Sequence, residues 1–227
     1  SFAVPAAVLV DGERPAAALP LLREALAVDP NETFALETLG YLHFRQNNAV
    51  EAARWFDRAI ESGEASYLAY FYRAILAGSV PDRVGGGEVR LPPSPLRGYG
   101  GPGKPDTAYA TYATNGTYAS PVRVEDLLRR AIDLNPGFAE AYVRLADLYA
   151  QEAGRLEAAL PLMRQATELE PASAGYWVQL GKLLVRLNRP GDAREAGERA
   201  LISVQSASSR GLVEGFLRDL ELDRVGW

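Results

Sequence analysis

Trp177-Val178-Gln179-Leu180-Gly181-Lys182-Leu183-Leu184, with Ala193 and Ala200 behind it, is the stretch that decides the fold. Its shape is W-x2-L-G-x2-(large apolar), followed by two alanines seven residues apart. The shape recurs along the chain. The small residue appears as Gly40, Ala74, Ala146 and Gly181, and the second alanine as Ala25, Ala59, Ala131, Ala166 and Ala200. Three residues before each of these alanines stand Leu22, Phe56, Leu128, Met163 and Gly197. Seven before stand Ala18, Ala52, Val124, Ala159 and Ala193, and five after stand Pro30, Glu64, Pro136, Pro171 and Gln205. Successive alanines are 34, 72, 35 and 34 residues apart. The long interval holds one repeat and an insertion of about 38 residues, since a period of about 34 residues is that of a stacked helix pair.

These residues and their spacing resemble the tetratricopeptide repeat (TPR) family. The resemblance covers nearly all of the chain outside the insertion and the last twenty or so residues. It implies an all-α, right-handed solenoid of about five helix pairs with a C-terminal capping helix, read as one array over 1–222. The repeats fall at about 1–32, 33–65, 66–137, 138–172 and 173–206, with the cap at 207–222. Residues 79–120 form the inserted loop inside the third repeat, and 223–227 a frayed tail.

Local signals agree with this layout. Residues 2–10 read as a damaged first helix, since Pro5 is tolerated only near a helix start. Pro15 suits the first position of the next helix, which Asp29-Pro30 ends. Asn31 or Thr33 is the expected cap of a helix running to about Gln46. Gly40 inside that helix costs about 1 kcal/mol against alanine, and close backbone approach of the facing helix is the expected reason. Asn47-Asn48 makes the turn into a helix over 49–62. The next runs 66–78 and breaks at Gly78-Ser79-Val80-Pro81. Its partner resumes near Arg123, capped near Ser120. Helices are expected over 138–151, 156–169, 174–187 and 190–203. A final amphipathic helix is expected over 209–222, with Leu212, Phe216, Leu217 and Leu220 on one face.

Composition narrows the function. The chain has 227 residues, a net charge of −5 and no large basic block. Phosphate backbones call for clustered Lys and Arg, so nucleic acid is not an expected partner. No apolar run approaches a membrane span of about 18 residues. There is no cysteine, hence no disulfide, thiolate nucleophile or thiolate metal site, a composition compatible with cytosol or periplasm. The opening Ser1-Phe2-Ala3-Val4-Pro5 has no charged leader, and the chain is expected to be a piece of a longer protein.

Chemistry-bearing motifs are sparse. Gly98-x4-Gly103-Lys104 has the outline of a phosphate-binding loop, but Pro105 stands where Ser or Thr would hold magnesium, with neither strand before nor helix after. Thr107–Tyr118 is rich in Tyr and Thr, a composition that suits recognition surfaces, and Asn115-Gly116 suits a two-residue hairpin turn. Asn115-Gly116-Thr117 also matches a glycosylation acceptor. His43, the single histidine, occupies a register where the family has Tyr, and helix packing is its expected role. No cofactor, metal or catalytic residue is expected, and no enzyme activity.

What remains is the surface of the first helices, which in this family lines a concave groove. The resemblance places groove positions at Phe34, Glu37, Tyr41 and Arg45; at Leu68, Phe71 and Ile75; at Glu140, Val143, Asp147 and Gln151; and at Val178, Lys182 and Arg186. The strongest candidates are Phe34, Glu37, Tyr41, Arg45, Phe71, Asp147, Gln151, Lys182 and Arg186. The Lys, Asn and Arg set with which some members clamp a C-terminal carboxylate is absent, since the relevant position holds Tyr41, Ile75, Asp147 and Lys182. The expected function is a scaffold that binds a peptide or protein segment. Two alternatives stay open: a non-catalytic appendage of a larger enzyme, and a structural array that self-associates. Ser66–Ala74 resembles arrays that follow peptidase-like domains in bacterial proteins, but no peptidase motif is present here.

Overall fold

The computed structural model describes residues 15–79, 124–204 and 206–225. The damaged first helix, the Gly/Pro-rich insertion with its phosphate-loop outline and Tyr/Thr segment, the Ser120 cap and the last two residues lie outside them. Among the described residues there are ten α-helices and no strand. They are α1 (Pro15–Val28), α2 (Thr33–Arg45), α3 (Ala49–Glu61), α4 (Tyr67–Ser79), α5 (Val124–Leu134), α6 (Ala139–Gln151), α7 (Leu156–Leu169), α8 (Ala174–Arg186), α9 (Pro190–Ile202) and α10 (Ala207–Val225). The helices α2/α3, α4/α5, α6/α7 and α8/α9 pack as pairs, and each pair packs on the next.

Small residues set how closely the pairs approach. The alanines that mark the period are almost free of solvent: Ala18, Ala52, Ala59, Ala131, Ala159, Ala166, Ala193 and Ala200 are all 0% exposed. Burying a position whose side chain is one methyl lets two helix backbones come close, and the larger neighbours then interdigitate around it.

The glycine of α2 makes a close approach, though to a ring rather than to backbone. A Cβ on Gly40 would lie 2.8 Å from the ring of Phe56, which projects from α3 and is fully buried. In the last pair the same place is filled from elsewhere. Gly197 stands at the register of Phe56, so α9 offers no side chain there. The ring of Phe216, on α10, sits instead against Gly181, 2.5 Å from where a Cβ would be. Leu217 fills the notch at Gly197, also 2.5 Å from a notional Cβ. The capping helix thus supplies the aromatic knob that the fifth repeat lacks.

The buried face of α10 is Val213, Phe216 and Leu220, with Leu217 half-buried, a spacing of i, i+3, i+4 and i+7. Leu212 is 49% exposed and does not belong to it, contrary to the sequence expectation. The helix also begins at Ala207 and continues to Val225, through part of the segment expected to fray.

Helix ends have identifiable causes. Glu32, rather than Asn31 or Thr33, caps α2, its carboxylate accepting the Ala35 N–H at 2.5 Å. A carboxylate also interacts favourably with the positive end of the helix dipole. The turns after α2 and α8 place Asn47 (φ 60°) and Asn188 (φ 57°) in the left-handed region, which Asn tolerates. In each turn the next N–H reaches back one full turn: Asn48 N–H to the His43 carbonyl and Arg189 N–H to the Leu184 carbonyl, both 2.9 Å. The α6–α7 loop is longer and uses Gly154 (φ 80°) instead.

Polar ties join the pairs. Arg73, only 7% exposed, donates from Nε to Asp57 at 2.6 Å between α4 and α3. Glu125, in the first turn of α5, accepts from the Tyr149 hydroxyl at 2.7 Å and from Arg155 at 2.8 and 3.0 Å. Hydrogen bonds from Arg155 and then Tyr149 hold the Glu125 carboxyl down to about 2. The Arg155 guanidinium in turn lies over the Tyr149 ring, 3.7 Å from its centroid. This cluster anchors the α6–α7 loop to the preceding repeat.

Two results follow for the packing. Replacing Gly40 by Ala gains about 1 kcal/mol of helix propensity but must displace the Phe56 ring, and overpacking costs about 1–3 kcal/mol. A net loss is expected in urea unfolding, reversed in sign when Phe56 is also changed to Leu; additive effects of the two changes would contradict the notch. Ala166→Leu, at a fully closed position, is expected to cost about 1–3 kcal/mol with no compensating gain, and an unchanged midpoint would contradict the register.

Candidate partner-binding surface

The first helices α2, α4, α6 and α8 carry the candidate positions, and the structure sorts them into buried and presented residues. The fifth position of each helix points into the stack. Phe71 is 4%, Val143 3% and Val178 2% exposed. Phe71 is closed in by Phe138, ring centroids 4.8 Å apart and edge-on, and by Tyr72 at 5.6 Å. It is therefore a packing residue and not a contact surface, because the ring that leads into the next first helix closes over it. Glu37, at the same register in α2, is half-buried and spent locally. Its two oxygens accept the Ser66 backbone N–H at 2.6 Å and the Ser66 hydroxyl at 2.7 Å. It caps α4 from the neighbouring repeat, an assignment that single-helix positions do not reveal.

The aromatic richness of the N-terminal half is also partly consumed inside. Tyr72 is a hub: its ring lies 5.4 Å from Tyr41, 4.9 Å from Phe44 and 5.7 Å from Phe56. Tyr67 meets Phe138 at 5.0 Å. The Tyr-rich run of α4 is thus mainly an inter-repeat adhesive. The signal for it was present in the spacing of Tyr67, Tyr70 and Phe71, but Phe138, which completes it, precedes α6 and carried no repeat signature.

What stays on the surface is a shorter set. Phe34 is 41% and Leu68 37% exposed, at equivalent positions of α2 and α4. Tyr41 is half-buried, and Arg45, Gln151, Lys182 and Arg186 are exposed. Arg186 spends one N–H on the Ala150 carbonyl, 2.6 Å away at the end of α6. Asp147 is half-buried; burial pushes its carboxyl above the ordinary value, Arg144 pulls it back, and Glu140 adds to the rise. Glu140 itself is engaged by Arg144 at 3.0 Å and by the Tyr176 hydroxyl at 2.8 Å. Burial and that bond raise the Tyr176 phenol. Among the described residues no group of three or more His, Asp or Glu side chains is placed to hold a metal.

Models of the tetratricopeptide repeat match residues 6–67, 125–166 and 148–209, well over half of the sequence, and the chain belongs to the tetratricopeptide repeat family. Its fold is similar to that of YrrB, a TPR protein described as having an unusual peptide-binding site, at a TM-score of 0.61 and 17% identity over 94% of this chain and 90% of that one. It is also similar to MamA from Desulfovibrio magneticus RS-1 (TM-score 0.60, 16% identity, 89% and 92% covered). A thermophilic TPR protein of Thermus thermophilus, TTC0263, gives 0.56 and 17% over 95% and 97%. At these identities the likeness concerns the fold alone. Protein O-mannosyl-transferase TMTC3 of Homo sapiens is 35% identical over 71 residues, which are 31% of this chain and 8% of that protein. Among the described residues no helix is long and apolar enough to cross a membrane.

His43 lies on α2 near α3. Both of its ring nitrogens are buried and neither has a hydrogen-bond partner among the described residues. Burial lowers its pKa from the ordinary 6.5, while Glu51 of α3 pulls the other way. The folded chain therefore resists a proton that the unfolded chain accepts. Stability is expected to fall as pH drops below about 6.5 and to reach its full penalty below the depressed folded value. Replacing His43 by Phe, which needs no proton and no partner, should shrink the difference between urea midpoints at pH 7.5 and pH 5; an identical pH slope in both proteins would contradict the assignment.

Proposed function

We propose that this array is an interaction scaffold, with no catalytic role of its own, that holds a segment of a partner protein against its first-helix face. The observation that carries the reading is the pairing of Phe34 and Leu68. Two large apolar side chains at equivalent positions of adjacent repeats stay more than a third exposed, although the same helices bury Leu36, Leu39 and Phe71. Exposed apolar groups on first helices whose series also carries the exposed Arg45, Lys182 and Arg186 suit a docked chain, with apolar anchors supplying affinity and charges supplying orientation. The peptide-binding site in the description of YrrB supports the same use of the fold.

A second reading rests on the curated relative. The chain matches only 8% of the length of TMTC3, and such an array can serve as an appendage of a much larger protein whose activity lies elsewhere. The two readings are compatible, because an appendage of this class would still act by holding a partner.

The test is capture from the source organism's extract with residues 1–227, followed by calorimetry on the purified partner. Changing Phe34 and Leu68 together to Ala should weaken binding by about tenfold or more, while leaving helicity unchanged. A partner bound equally well by this variant would remove the face from consideration.

A further inference from the structure

We propose that the first-helix face also reads the order of charges in its ligand, Asp147 taking a basic group and Lys182, one repeat further, an acidic one, in a peptide whose apolar end lies at Phe34 and Leu68. This rests on the scaffold reading above and specifies its ligand. The ninth position of the four first helices runs Tyr41, Ile75, Asp147, Lys182. Two apolar-bodied side chains are followed by an acid and then a base.

The other charged residues of the face are already committed. Glu37 spends both oxygens on Ser66. Glu140 spends one oxygen on Arg144 and the other on Tyr176. Arg186 reaches the Ala150 carbonyl. Asp147 and Lys182 differ: among the described residues neither makes a hydrogen bond, and they form no ion pair with each other or with a neighbour within 4 Å. Lys182 is exposed, while Asp147 is half-buried on the same face. A half-buried carboxylate without a hydrogen-bond donor has lost part of its hydration, and the Arg144 charge offsets only part of that loss, since burial remains the larger effect. A ligand ammonium or guanidinium restores what was lost, and an adjacent ligand carboxylate meets Lys182. Charges set like this select register and direction more than they add raw affinity. They also disfavour a uniformly anionic ligand, since Asp147 repels phosphate at the step where Lys182 attracts it.

The experiment is selection of a random-sequence peptide display library on immobilised residues 1–227. Parallel selections use Lys182→Glu, Asp147→Lys and the Phe34→Ala/Leu68→Ala pair, each checked for unchanged helicity. The expected pool carries an apolar residue, then a basic one, then an acidic one. A synthetic peptide from that pool should bind Lys182→Glu about tenfold more weakly at low salt, and exchanging its acid for Lys should restore binding to that variant only. Peptides held equally by the parent, Lys182→Glu and Asp147→Lys but lost by the apolar pair would overturn the charge order and leave the scaffold reading standing. Peptides held equally by all four proteins, or no enriched peptide at all, would overturn both.

Discussion

The structure depends on one steric fact: an aromatic ring occupies the space that a glycine leaves open between packed helices. Phe56 lies over Gly40, and Phe216 over Gly181, closer in each case than any side chain would permit. The ring gains its buried area only because the opposite helix offers no Cβ, and the glycine is tolerated in mid-helix only because the ring fills the gap. The fully buried alanines extend the same constraint along the chain. Once the pairs are locked at this spacing, the first helices stand side by side, and their outward positions become one continuous face.

That constraint explains what could be read from the sequence. Residues that repeat because they are squeezed, such as Ala59, Ala131, Ala166 and Ala200, announce the helices and their pairing, and the observed helix limits lie within a residue or two of those expected for α2 to α9. The face of α10 was less legible. Leu212 and Val213 are both apolar, and only the packed partner decides that Val213 is buried while Leu212 is not. The candidate surface was least legible. Carrying family positions onto single helices says where a side chain starts, not what the next repeat lays across it. Phe71 vanished under Phe138 and Tyr72 for that reason, and Glu37 was taken by a backbone N–H and a hydroxyl one repeat away. The cap of α2 fell to Glu32, one residue between the two expected, because a longer carboxylate reaches the Ala35 N–H equally well.

The polar residues of the first helices therefore divide between two tasks. Some hold repeats together: Glu140 through Tyr176 and Arg186 through the Ala150 carbonyl, joined by Glu125 of the second helix α5 through Arg155 and Tyr149. Each tie crosses from one repeat to the next, so together they stiffen the relative setting of neighbours rather than any single helix. Exposed ion pairs contribute little stability individually; their value here is geometric. The residues left over stand at fixed spacing on a stiffened support, and under the proposed function that preorganisation would lower the entropic cost of holding a ligand.

The substitution at the fifth repeat has a consequence for how such an array grows and shrinks. Because Gly197 has surrendered its side chain, α8 and α9 are not a portable module: excised without Phe216 and Leu217, they would expose two open notches in their own interior. A duplicated repeat grafted behind Ser206 would have to compete with α10 for the same two notches, so lengthening the array at this end requires Gly197 to regain a large side chain first. One residue in this sense ties the fifth repeat to the helix that follows it, and the two must be inherited together.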